Sequence, residues 1–206
     1  MSICAHCEVL ACSTRETLPP GCPMRSGQWL DRAREAYMDE DNRRIAQVAA
    51  HVEKTGYCEW TRLQEIKEFC QASGFGRLGL ASCAGLKREA KIAADYYREH
   101  GLEVISVLCC SGGMDKDCAG IAPEDRFRSE GFEAMCNSIG QAELLNEKGT
   151  DFNVVLGLCV GHDSLFFKYS KAPTTVLAAK DRRLAHNPLA AIYLEQSYYR
   201  HIHNNE

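Results

Sequence analysis

From residue 77 onward the chain alternates between short apolar runs and longer stretches whose apolar residues fall three and four apart. The runs are "RLGLASC", "EVISVLCC", "FNVVLGLC" and "TTVLAAK". Rich in Val, Leu and Ile and with little polar alternation, they read as strands buried on both faces. Between them, "LKREAKIAADYYREHG" predicts an amphipathic helix ending at Gly101. "EGFEAMCNSIGQAELLNEKG" predicts one ending at Gly149, and "HDSLFFKYS" a short one. "AHNPLAAIYLEQSYYRHI" predicts a closing helix with Asn187 as N-cap and Pro188 in its first turn. Four strand–helix alternations predict an α/β domain built on a small four-stranded, mostly parallel, doubly wound sheet. Ligands of such sheets bind beyond the carboxyl ends of the strands.

Ahead of this region the periodicity is helical. "QWLDRAREAYM", "NRRIAQVAAHVEKTG" and "TRLQEIKEFCQASG" each place apolar residues on one side, and the third opens with a Thr-x-x-Gln capping box at Thr61 and Gln64. Residues 1–27 show no such period and carry four cysteines among prolines and glycines. The division expected is a cysteine-rich metal-binding segment at 1–27, a helical segment at 28–76 and an α/β domain at 77–206, with 28–206 forming one compact domain. A segment like 1–27 cannot build a core of its own and depends on a metal.

Composition adds the compartment and excludes some partners. The chain has 206 residues, is 45% hydrophobic and 25% charged, and carries a formal charge of −4. That balance argues against nucleic acid or an anionic membrane as a general partner. No apolar stretch approaches the ~20 residues of a membrane span, and "MSICAHCEVLAC" lacks the basic start and apolar run of a secretory signal. The expected location is the cytoplasm, where thiols stay reduced. Twelve cysteines there suit metal binding or catalysis better than disulfides.

The N-terminal spacing is Cys4-x2-Cys7-x4-Cys12-x9-Cys22, followed by Pro23. A C-x-x-C turn lets two thiolates reach one ion, and two further cysteines complete a tetrahedron. Zinc and an iron–sulfur cluster both suit such a set.

A second constellation emerges from the predicted topology. Cys83, the pair Cys109 and Cys110, and Cys159 end the first three strands, so they share one edge of a parallel sheet. Cys118 lies in the loop after the second strand, and Cys136 near the start of the next helix. These six cysteines form a candidate cofactor-binding site for an iron–sulfur cluster or another metal. Any one of them can equally be core, since a free cysteine packs as a small hydrophobe. Cys70 lies on the apolar side of its helix and is expected in the core. Cys83 precedes a helix with Lys87 and Arg88 in its first turns, conditions that lower a thiol pKa. His162 follows Cys159 closely. Cys83 as nucleophile with His162 as acid/base are therefore the candidate catalytic pair. His186 and Asn187 follow the fourth strand and reach towards the same rim.

The segments "CAHCEVLAC…GCP", "GLASCAGLKREA", "MCNSIGQAELLN", "TDFNVVLGLCVGHDSLFFKYSKAPTTVLAAKDR" and "HNPLAAIY" resemble a family of uncharacterised, predicted metal-binding proteins of anaerobic bacteria and archaea, catalogued as a domain of unknown function. The resemblance implies metal binding at Cys4, Cys7, Cys12 and Cys22 and names no reaction or substrate. Three readings stay open. The first is a metal or iron–sulfur protein with a redox role. The second is a metal sensor, store or delivery module without turnover, with a metal ion as its partner. The third is a thiol-dependent enzyme using Cys83.

Overall fold

The computed structural model describes residues 4–14, 16–25, 27–128 and 130–203. The chain divides into two compact units, residues 1–54 and 55–206.

The first unit holds a single-turn helix α1 (Ala11–Thr14), then α2 (Gln28–Ala36) and most of α3 (Glu40–Gly56). Asn42 clasps the α2–α3 turn. Its side-chain amide donates to the Ala36 carbonyl at 3.0 Å, and its backbone N–H is capped by Asp39 at 3.0 Å.

The second unit carries α4 (Arg62–Ala72), β1 (Arg77–Ser82), α5 (Lys87–Glu99), β2 (Glu103–Leu108), α6 (Ser138–Glu147), β3 (Phe152–Leu156), α7 (His162–Tyr169), β4 (Thr174–Ala178) and a short α8 (Leu189–Tyr193). The capping box at α4 is formed at both ends. Thr61 Oγ1 accepts from the Gln64 N–H at 3.4 Å, and Gln64 Oε1 accepts from the Thr61 N–H at 2.9 Å.

All four strands are parallel, in the order β2-β1-β3-β4. Strand alternation sends Leu78, Leu80, Val154 and Leu156 to one face, where they pack on Ile66 and Cys70 of α4 and on Ala90, Ala93 and Tyr97 of α5. Ala81, Val107 and Val155 go to the other face, against Ala142 and Leu145 of α6 and Phe166 of α7. Helices thus cover both faces, as the buried apolar strands require, each fully buried Leu or Val contributing about 1.5–3 kcal/mol. The first crossover leaves β1 over one face and the later ones run over the other, so the chain reverses direction between β1 and β3. That gap is where a doubly wound sheet opens a crevice.

Two expected helices are shorter in the structure. The helix expected over 130–149 begins only at Ser138. The residues before it pair with the loop after β2 instead: Lys116 N–H donates to the Glu133 carbonyl at 3.1 Å, and Met135 N–H to the Met114 carbonyl at 2.9 Å. Cys136 therefore precedes the helix rather than lying on it. The closing helix is limited to Leu189–Tyr193, with Pro188 rather than Asn187 in the N-cap position. Ala185 and His186 before it are left-handed (φ 50° and 65°), which bends the chain out of helical geometry.

Candidate functional site

The strand register itself sets the first two thiols side by side. Ser82 pairs with Leu108 across β1 and β2, so Cys83 and Cys109 follow in adjacent positions, and the Cys109 N–H donates to the Ser82 carbonyl at 2.8 Å. Cys109 continues the alternation of Ile105 and Val107 and turns inward with them, 4% exposed, whereas Cys110 is exposed. The adjacent cysteines thus divide between core and surface.

Cys136 is brought in by the long connection between β2 and α6. The Asn137 N–H donates to the Cys109 carbonyl at 2.6 Å, laying the two backbones together, and the Asn137 side chain then caps α6 through the Gly140 N–H at 2.9 Å. The connection is braced by a half-buried Lys116–Glu133 ion pair at 2.6 Å and by Arg126 on Asp117. The outcome is a Cys109–Cys136 Sγ separation of 3.8 Å. The Ala84 N–H donates to Cys109 Sγ at 3.3 Å.

Cys159 lies two residues beyond Gly157, which follows the end of β3. Arg182, past β4, donates to its sulfur at 3.0 Å. Lys180 approaches from the same strand end. Its Nζ would lie 3.9 Å from a Cβ at Gly85 and 3.8 Å from one at Gly157, and Cys83 Sγ stands 3.7 Å from that same Gly85 position. A side chain at Gly157 would strain this turn. The residue's φ is +64°, and a Cβ would meet Leu86 Cδ1 at 2.2 Å.

Electrostatics tie the group together. The hydrogen bond between Cys136 and Cys109 lowers the Cys136 pKa, against burial and the charges of Cys159, Cys83 and Cys110. Cys109 is pushed well above the ordinary thiol value, first by its bond to Cys136 and then by burial. Arg182 feels Cys159 most strongly, then Cys83 and Cys136. Within the pair, the shared bond favours ionisation at Cys136 and disfavours it at Cys109.

The expected residues therefore separate. Cys83, Cys109, Cys136 and Cys159 gather at the carboxyl ends of β1, β2 and β3, with Cys110 beside them. Cys118 is exposed in a single turn of 3-10 helix, Lys116–Ala119. Cys70 is core, fully buried, its pKa pushed up to about 12 by burial. His162 heads α7, its N–H on the Cys159 carbonyl at 3.0 Å. Its Nδ1 is buried without a hydrogen-bond partner among the described residues. His186 is used to hold its own loop, its Nδ1 accepting from the Asp181 N–H at 3.1 Å. Near the N-terminus, the Cys7 N–H closes a turn on the Cys4 carbonyl at 3.0 Å. Cys4 and Cys12 are exposed, and Cys7 and Cys22 half-buried. Among the described residues no group of three or more His, Cys, Asp and Glu is arranged to hold a metal ion. No helix among them is long and apolar enough to cross a membrane.

Sequence reasoning missed Lys180 and Arg182. Their signal was present: Lys180 ends the run "TTVLAAK" and Arg182 lies two residues beyond it, where a fourth parallel strand delivers its next residues to the same edge.

Fold and site together define a doubly wound α/β protein that concentrates cysteines at the crevice of its sheet. The chain belongs to the DUF1847 family, described as "Protein of unknown function", whose match covers residues 22–177. That stretch includes Cys22 and every cysteine of the crevice. The uncharacterized protein MJ0455 of Methanocaldococcus jannaschii is 50% identical over 165 residues, 80% of this chain and 82% of the relative.

Proposed function

We propose that this protein binds a soft metal ion or an iron–sulfur cluster through Cys83, Cys109, Cys136 and Cys159. The observation that carries the reading is the 3.8 Å separation of the Cys109 and Cys136 sulfurs. Two thiolates of a tetrahedral site with metal–sulfur bonds of about 2.3 Å stand ~3.8 Å apart. Cys83 and Cys159 follow the ends of β1 and β3 at the same sheet edge, and their side chains would have to turn towards this pair to complete the donor set. Thiolates select soft metals. Arg182 and Lys180 supply positive charge against several thiolates. The group would provide a soft Lewis acid or, as a cluster, a one-electron store. Cys109 and the backbone N–H of Ala84 hold the inner side of the site, and Cys136 and Cys159 form its outer side.

The N-terminal cysteines form a second proposed site for zinc or an iron–sulfur cluster. The Cys4–Cys7 turn supports it, since a C-x-x-C reversal is how a chain presents two thiolates to one ion.

The test is anaerobic purification with zinc, iron and acid-labile sulfide measured per chain, repeated after reconstitution with zinc(II) or with iron(II) and sulfide. Metal retained by a Cys4→Ser, Cys7→Ser double variant and lost from Cys136→Ser and Cys159→Ser supports the crevice site. Metal lost from the first and retained by the others leaves only the N-terminal one. No thiol-bound metal under any of these conditions overturns both.

A further inference from the structure

The crevice contains a feature that metal ligation does not require. Two of its cysteines differ in exposure while their sulfurs already lie close together. Cys109 is 4% exposed and Cys136 half-buried. Their sulfurs stand 3.8 Å apart, and the Asn137 N–H to Cys109 carbonyl bond fixes the two backbones beside each other. A disulfide of about 2.05 Å therefore needs the sulfurs to close by roughly 1.8 Å, within reach of side-chain rotation. Cys136 also sits on irregular chain before α6, where such a rotation does not disturb helix packing.

We infer that Cys109 and Cys136 are a reversible dithiol–disulfide couple, with Cys136 as the sulfur that attacks an incoming low-molecular-weight disulfide and Cys109 as the sulfur that resolves it. In the first step the Cys136 thiol gives its proton to solvent. Its sulfur then forms a bond to one sulfur of the disulfide, whose S–S bond breaks. The departing thiolate takes up a proton. In the second step the Cys109 thiol loses its proton and attacks Cys136 Sγ. The mixed disulfide breaks, and the electron pair leaves on the second small thiolate, which is also protonated. Two protein thiols are oxidised by two electrons and one small disulfide is reduced to two thiols. The Ala84 N–H, 3.3 Å from Cys109 Sγ, faces the sulfur anion that performs the second step. Burial keeps Cys109 from meeting the small disulfide first.

The inference does not rest on the metal reading, although the two share sulfurs. An ion held by both thiolates and a bond between them exclude each other, so oxidation would discharge the crevice.

The experiment uses the full chain, reduced and freed of metal by chelation, with glutathione disulfide as the probe. Intact mass and peptide mapping are read after quenching by alkylation. Expected are a loss of two hydrogens and a Cys109–Cys136 crosslink as the dominant internal pair, reversed by dithiothreitol. Cys109→Ser and Cys109→Ala, either one sufficing if the other does not fold, should trap glutathione on Cys136. Cys136→Ser should leave Cys109 a free thiol. The inference is overturned if wild-type Cys109 stays reduced while Cys136 carries glutathione, or if Cys136 pairs chiefly with Cys83, Cys110 or Cys159. Because the readout is taken without metal, it stands or falls separately from metal stoichiometry.

Discussion

Arg182 and Cys159 meet tip to tip, the guanidinium Nη2 lying 3.0 Å from the sulfur across the mouth of the crevice. An exposed arginine contributes little to folding, so its value lies in the charge it places beside sulfur. Arg182→Met should leave thermal unfolding nearly unchanged. Loss of an outer partner of a ligand typically weakens metal binding about 10–100-fold, and the variant should surrender metal to a chelator correspondingly more readily. Competition titration against a chromogenic chelator measures this. Equal retention by variant and parent would remove Arg182 from the site.

Gly157 turns the chain from β3 into the crevice. Gly157→Ala combines a left-handed φ of +64° with a 2.2 Å approach to Leu86 Cδ1. It should destabilise the fold by more than ~1 kcal/mol, seen as a lower denaturation midpoint. An unchanged midpoint would show that Leu86 and the turn can both relax.

Tyr97 is fully buried, and its hydroxyl has no hydrogen-bond partner among the described residues. Leaving a buried polar group unmatched costs about 1–3 kcal/mol. Tyr97→Phe should therefore match or exceed the parent in stability at neutral pH. A clear loss would mean that the hydroxyl is satisfied in solution.

Burial pushes Cys70 up to about 12, and burial also raises Tyr97 above its ordinary value. An acid whose pKa is raised by folding favours the native state below its unfolded pKa. Stability is lost as pH rises from there towards the folded value, because the unfolded chain ionises first. Urea denaturation should therefore show stability declining above pH ~9 and on towards pH ~12. Cys70→Ala and Tyr97→Phe should each flatten the decline. Cys70 should also resist alkylation in the native protein and react on unfolding. A flat profile in the parent would contradict the burial of both groups.

The strands and most helices were legible because their signal is local. An apolar run, a Thr-x-x-Gln box and a terminal glycine each act within a few residues. Once the strands were placed, the convergence of Cys83, Cys109 and Cys159 followed from parallel topology. The division of Cys109 from Cys110 was not expected, since both were candidate ligands; the alternation begun at Ile105, extended one residue past the strand, produces it. The partnership of Cys136 with Cys109 was not legible. It depends on ion pairs such as Lys116–Glu133, formed between residues far apart in a loop with no hydrophobic period. The closing helix was overread for a related reason. Its apolar spacing is helical, but the turn ahead of it is set by Asp181, whose carboxylate caps the Arg183 and Leu184 N–H groups at 2.9 Å.

The strand order also fixes a chronology. A chain synthesised from its N-terminus makes the central strand β1 first and adds neighbours on either side, so the sulfurs leave the ribosome as Cys83, Cys109, Cys136 and Cys159, with Lys180 and Arg182 last. At roughly 5–20 residues per second, Arg182 follows Cys159 by about one to five seconds. The four cysteines of the crevice are thus made before the two cations that stand beside them in the folded protein.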